Sequence, residues 1–178
     1  MFEEVIQFWF EDIDRSQWWV KDEAFDDEIR NRFSELHRQA ASGELFFWRD
    51  CAQGRLAEII ILDQFSRNMF RDTSGAFSQD TLALVLAQEA VRSGADAHLS
   101  PAMNNFLYMP YMHSESRLIH EEAVKLFTKT GDEFTLDFEL KHKKIIDDFG
   151  RYPHRNAILS RVSTEVEVAF LNGPDSSF

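Results

Sequence analysis

Cysteine occurs once in the chain, at Cys51. A single thiol excludes an internal disulfide and a thiolate metal cluster. Glycine and proline are also scarce, seven and four in 178 residues. The only Asn-Gly pair, Asn172-Gly173, sits at the tail, so hairpin chemistry between alternating strands is missing. No apolar run reaches the ~18 residues that a membrane-spanning helix needs, and no basic-then-apolar leader opens the sequence. The expectation is a soluble, reducing, cytoplasmic setting. Positive charge is in short supply, 19 Lys and Arg against 31 Asp and Glu, for a net charge of −12. A field of that sign opposes nucleic acid and anionic membrane, and "KHKK" at Lys141 to Lys144 is too short to reverse it.

What is abundant is apolar and aromatic: 44% hydrophobic, 13% aromatic, with seventeen Phe and four Trp. That is enough for a core packed through large side chains. At 178 residues the expectation is a single all-helical domain, 1–178, with 172–178 as a flexible tail.

The pattern reads as helix after helix. Asp22 is placed to cap a helix in which Phe25, Ile29, Phe33 and Leu36 recur at three- and four-residue steps, ended by Gly43. "AFSQDTLALVLAQEAVRSG" closes at Gly94, and "SPAMNNFLYMPYM" starts with Ser100 as cap and Pro101 at its first position. Pro110 should kink or end that helix. Ser114 can then cap the next one, and Thr164 with Glu167 forms a capping box for the last. Short connections favour antiparallel neighbours. The clusters "QFWF" and "ELFFW" read as core, while "QWW" in a connector could form an exposed patch.

Three segments break this pattern. The run "RLAEIIILDQFSRNMFR" is apolar on nearly every face, yet its last turns carry Asp63, Gln64, Arg67, Asn68 and Arg71. On a 3.6-residue wheel Leu56, Ile60, Asp63, Arg67 and Arg71 share one face, so the Asp63/Arg67 pair is buried. Such a pair serves as an internal strut or as part of a polar pocket. The second segment, "FLYMPYMHSES", places His113, Ser114 and Glu115 beyond a proline and at a helix start, a position that suits an anion. The third, "FGRYPHRNAILSRVST", gathers Arg151, His154, Arg155 and Arg161 in a connector stiffened by Pro153, and arginine forks suit carboxylate or phosphate.

These segments, with "WWVKDEAFDDEIRNRF" before them, resemble the uncharacterised bacterial and fungal family called domain of unknown function 924. The resemblance covers roughly Val5 to Leu171. It implies an all-α fold of antiparallel helix pairs stacked as a compact right-handed superhelix, similar to tetratricopeptide-repeat folds, and no established activity. It marks as recurrent polar positions Asp63, Gln64, Arg67, Asn68, Arg71, His113, Ser114, Glu115, His142, Arg151, His154, Arg155, Asn156 and Arg161. Three departures stand out. Met103-Asn104 replaces a Glu-Arg pair, Ser66 a proline and Ser160 a glycine.

Two functions follow. In the first, these residues meet in a concave, positively charged pocket that binds a small carboxylate or phosphate, or a peptide end. In the second, His113 or His154, oriented by Asp63 or Glu115, works as a general acid or base on a small acidic substrate. The discriminating feature is a histidine nitrogen hydrogen-bonded to a carboxylate and facing an open pocket. No metal site is expected, because no H-x-x-x-H or E-x-x-H spacing is present. No cofactor is expected either: "TSGAFSQD" lacks the Gly-Lys-Ser/Thr ending of a phosphate loop.

Overall fold

The computed structural model describes residues 1–174 and 176, and among them the chain is all-helical, without a strand. Of the tail expected to be flexible, Asp175, Ser177 and Phe178 lie outside the described residues. Helix α1 (Phe2–Gln7) runs into a π-helical turn, Phe8–Asp12, and a 3-10 turn, Arg15–Trp19, leads to α2 (Glu23–Ala41). A second 3-10 turn, Phe46–Asp50, precedes α3 (Ala52–Ile60), which passes through a π-helical turn, Ile61–Phe65, into α4 (Ser66–Met69). Then come α5 (Asp80–Arg92), α6 (Pro101–Met112), α7 (Arg117–Thr130), α8 (Glu133–Phe149) and α9 (Glu165–Leu171). Helix α6 packs on α7, α7 on α8, α1 and α5 on α3, and α5 on α6.

The local signals place most boundaries. Asp22 accepts from the Phe25 N–H at 3.1 Å, Ser100 from Met103 at 3.3 Å, and both halves of the Thr164/Glu167 capping box are formed. Two expectations need correction. Pro110 does not end α6, which continues to Met112; a proline in the last turn sacrifices only one bond of the ladder. Ser114 does not cap α7, which begins three residues later, at Arg117. Its hydroxyl instead accepts from the Ser116 N–H at 3.2 Å, and His113 to Ser116 form a link between helices.

The core is aromatic. Phe8, Trp9, Phe25, Phe33, Phe65 and Phe106 interlock, with ring centroids as close as 4.9 Å for Phe33 and Phe65. Helix α3 threads the middle, and Leu56, Ile59, Ile60, Ile61, Leu62 and Phe65 have no exposure. "QFWF" is core at Phe8 and Trp9. "ELFFW" is only partly so: Leu45 and Trp48 are buried, but Phe46 and Phe47 are 66% and 49% exposed. The 3-10 turn turns those two rings outward. Gly54 sits under that turn, where a β-carbon would lie 2.1 Å from the Trp48 carbonyl oxygen.

Ser160 has φ of +55°. An L side chain there is strained by about 1–2 kcal/mol. Ser160→Gly should raise unfolding free energy by about 0.5–1 kcal/mol in urea titration, net of glycine's unfolded-state entropy. A loss of stability would show that the serine hydroxyl matters more than the backbone.

Candidate functional site

Asp63 lies within the π-helical turn and is fully buried. Its Oδ1 accepts from His113 Nδ1 at 2.7 Å and pairs with Arg67 Nη1 at 3.0 Å. Gln64 Nε2 donates to its Oδ2 at 2.6 Å. Burial alone would raise the Asp63 pKa, but Arg67 and His113 outweigh it and hold the carboxylate ionised. Arg67 also donates to Asp80 Oδ2 at 3.1 Å, and Arg155 Nη1 donates to the same oxygen at 3.1 Å. Arg71 forms a two-pronged pair with Asp26, at 2.5 and 2.7 Å, and Asn68 donates to Asp26 at 2.8 Å.

These groups floor a cavity of about 700 Å³. Eight of the fourteen sequence-predicted positions line it: Gln64, Arg67, Asn68 and Arg71 from the α3–α4 run, His113 at the end of α6, His142 on α8, and His154 and Arg155 from the connector. Asp63 stands directly behind them, so the three distant segments do converge. The remaining wall is mostly apolar, including Phe77, Met109, Met112, Phe138, Trp18 and the exposed Trp19 and Phe134, and its other polar residues are Lys21, Asp72, Thr135 and Lys141.

The other five positions lie outside the lining. Arg161 forks onto Glu115 at 2.6 and 2.9 Å, and Glu115 also accepts from the Tyr152 N–H at 2.7 Å. Arg161 Nε donates to Asn156 Oδ1 at 2.9 Å. Arg151 forks onto Glu167 at 2.6 and 2.8 Å, and the Ser114 carbonyl accepts from His120. These bonds clamp the connector that carries His154 and Arg155. Glu115 is fully engaged there and orients neither His113 nor His154. His113, Ser114 and Glu115 follow the C-terminal end of α6 rather than opening a helix, so no N-terminal anion site forms there.

The chain matches, over residues 5–175, the family described as a bacterial protein of unknown function, DUF924. It belongs to the DUF924 family. A solved structure of a protein of unknown function from Agrobacterium tumefaciens is similar along 96% of each chain, with a TM-score of 0.92 and 36% identity. No curated protein matches. In this DUF924 chain Met103-Asn104 falls on the first turns of α6, outside the cavity lining, where Asn104 donates to the Asp96 carbonyl at 3.0 Å.

The site differs from the expected positive well. Only three of the five arginines reach the cavity, and Arg67, Arg71 and Arg155 are matched by Asp26, Asp63 and Asp80. With neutral histidines the three arginines are balanced by these three acids, and Lys21 and Lys141 against Asp72 leave the lining a small positive excess. Asp26 and Asp80 carry no local signal in the sequence: each lies in the first turn of its helix, where an acid is favoured by the helix dipole alone. The histidines are neutral. Burial, then Arg67, lowers the His113 pKa against the pull of Asp63. Burial takes His142 down to about 3 and, helped by Arg155, His154 down to about 4. Among the described residues no three His, Cys, Asp or Glu side chains group as metal ligands.

In the unfolded chain these two histidines gain protons below about 6.5, but in the folded chain only near 3 and 4. Their stabilising contribution is complete above about 6.5 and is lost as pH falls toward 4, because the unfolded state binds more protons there. Stability should decline across that window by up to about 1.4 kcal/mol per pH unit for each histidine. A His142→Asn/His154→Gln double variant should flatten the decline in urea midpoints; an unchanged slope would refute the assignment.

Proposed function

We propose that this protein binds a small ligand with an apolar body and one carboxylate-type head, seated in the cavity with its head on Arg155. The carrying observation is the Arg155 side chain. It is only 6% exposed at the cavity wall, yet among the described residues its hydrogen bonding is limited to Nη1 on Asp80, and Nε has no partner. A guanidinium has five N–H donors, and leaving buried donors idle costs about 1–3 kcal/mol. A ligand oxygen accepting from Nη2, which neither bonds Asp80 nor is sealed off as Nε is, recovers part of that cost. The guanidinium carbon also lies over the Tyr152 and Phe77 rings, 4.5 and 4.6 Å from their centroids, so little is lost in orienting it.

Charge balance narrows the ligand. A small positive excess, from Lys21 and Lys141 against Asp72, suits one negative charge held by direct bonds better than a phosphate dianion. The volume and the apolar wall match a small molecule better than a folded partner. A peptide C-terminus with an apolar last residue satisfies the same chemistry.

Octanoate and phenylacetate are the probes, with inorganic phosphate and octanamide as controls. At about 100 times Kd a ligand stabilises by about 2.7 kcal/mol, which is a Tm rise of about 5–10 °C for a chain of this size. The carboxylates should raise Tm and the controls should not. Arg155→Gln should abolish the rise. A shift that survives this substitution, or none with either carboxylate, refutes the reading.

A further inference from the structure

We infer that the cavity is a hydrolytic site, in which His113 activates water against the carboxylic ester of an apolar acid. This rests on the cavity being the ligand site and names the reaction performed there. His113 Nδ1 is 2.7 Å from Asp63 Oδ1. Asp63 is ionised and acceptor-only, so Nδ1 carries the proton and the Nε2 lone pair is free to act as a base. Asp63 cannot swing away, because Arg67 and Gln64 hold both of its oxygens. The ring keeps 14% side-chain exposure while the carboxylate behind it keeps 1%. With Nδ1 turned to that buried group, the accessible edge of the ring is the Nε2 edge, and the space it meets is the cavity.

The choice of nucleophile follows from what the wall offers. It carries no serine or cysteine among the described residues, and its one hydroxyl belongs to Thr135. That hydroxyl donates to Asp132 at 2.8 Å and accepts from Asn105 at 3.2 Å. It is engaged away from the histidine. Water is therefore the attacking group. His113 Nε2 takes a proton from water as the water oxygen bonds to the ester carbonyl carbon. The carbonyl oxygen gains negative charge, which the Arg155 guanidinium on the same wall stabilises. The carbon–alkoxide bond then breaks, the alkoxide takes the proton back from Nε2, and an acid and an alcohol leave. The acid product is the monocarboxylate class that the cavity is proposed to bind. Phe77, Met109, Met112 and Phe138 suit an apolar acyl chain.

The test uses the full chain with p-nitrophenyl octanoate. Wild type should release p-nitrophenol above the buffer rate, with kcat/KM level above about pH 7 and falling as His113 gains a proton. His113→Asn keeps an N–H for Asp63 but has no base, and should lose on the order of 100-fold or more in kcat/KM. Its Tm rise with octanoate should persist. Three results overturn the inference: no hydrolysis while octanoate still binds, unchanged hydrolysis in His113→Asn, or an acyl adduct on the protein by mass spectrometry. If octanoate neither binds nor inhibits, the ligand reading has failed first. Nitrogen-15 NMR of the wild type gives a check independent of any variant. His113 should be the Nδ1–H tautomer near neutral pH, and an Nε2–H tautomer would sink the mechanism.

Discussion

One carboxylate organises the polar half of this molecule. Asp63 has no exposure, yet it is held ionised by a guanidinium on its own helical run, an imidazole from α6 and an amide beside it. Withdrawing a charge from water costs several kcal/mol, so the group persists only while all these partners stay in place. Through Arg67 the constraint extends to Asp80 at the start of α5, and through Asp80 to Arg155 in the connector after α8. Three stretches of chain thus share one chain of charges, and the neutral His113 ties in a fourth. An apolar core does not require such a chain, because hydrophobic residues of equal volume pack as well or better. Its presence against an open cavity is what makes a functional role the economical explanation.

A second layer holds the connector to this network. Arg161 and Glu115 close one bidentate pair, Arg151 and Glu167 another. Tyr152, fully buried between them, donates to the Met112 carbonyl at 2.5 Å. Arginine forks suit such a task because two parallel bonds fix direction as well as distance. The connector thereby behaves as a rigid element, although it has only one short 3-10 turn, Pro153–Arg155. His154 and Arg155 are presented with little freedom, which is the condition for a preorganised site.

Much of this was legible in the residues. Periodicity and caps located the helices, because Asp22, Ser100 and Thr164 act through bonds to neighbours three residues away. The unusual polar residues on an apolar run pointed to the cavity floor. What could not be read was pairing at long range. Nothing in "AFDDEIRNRF" distinguishes Asp26, which meets Arg71, from exposed Asp27 beside it. Glu115 and Arg161 likewise look like pocket residues until the fold pairs them 46 positions apart. Arginine count therefore overstated the charge of the cavity. Counting partners requires the tertiary structure.

The π-helical turn at Ile61–Phe65 has a consequence for how this stretch tolerates change in length. A wide turn stores one residue more than an α-helical turn, and each residue of an α-helix rotates direction by about 100°. Deleting one residue there would let the backbone relax into an ordinary helix with Arg67, Asn68 and Arg71 still close to their acids, because the residue removed is the one the wide turn holds in excess. A one-residue deletion is thus absorbed within the wide turn, whereas an insertion or deletion between Ser66 and Arg71 rotates the residues beyond it by about 100° and parts them from their acids.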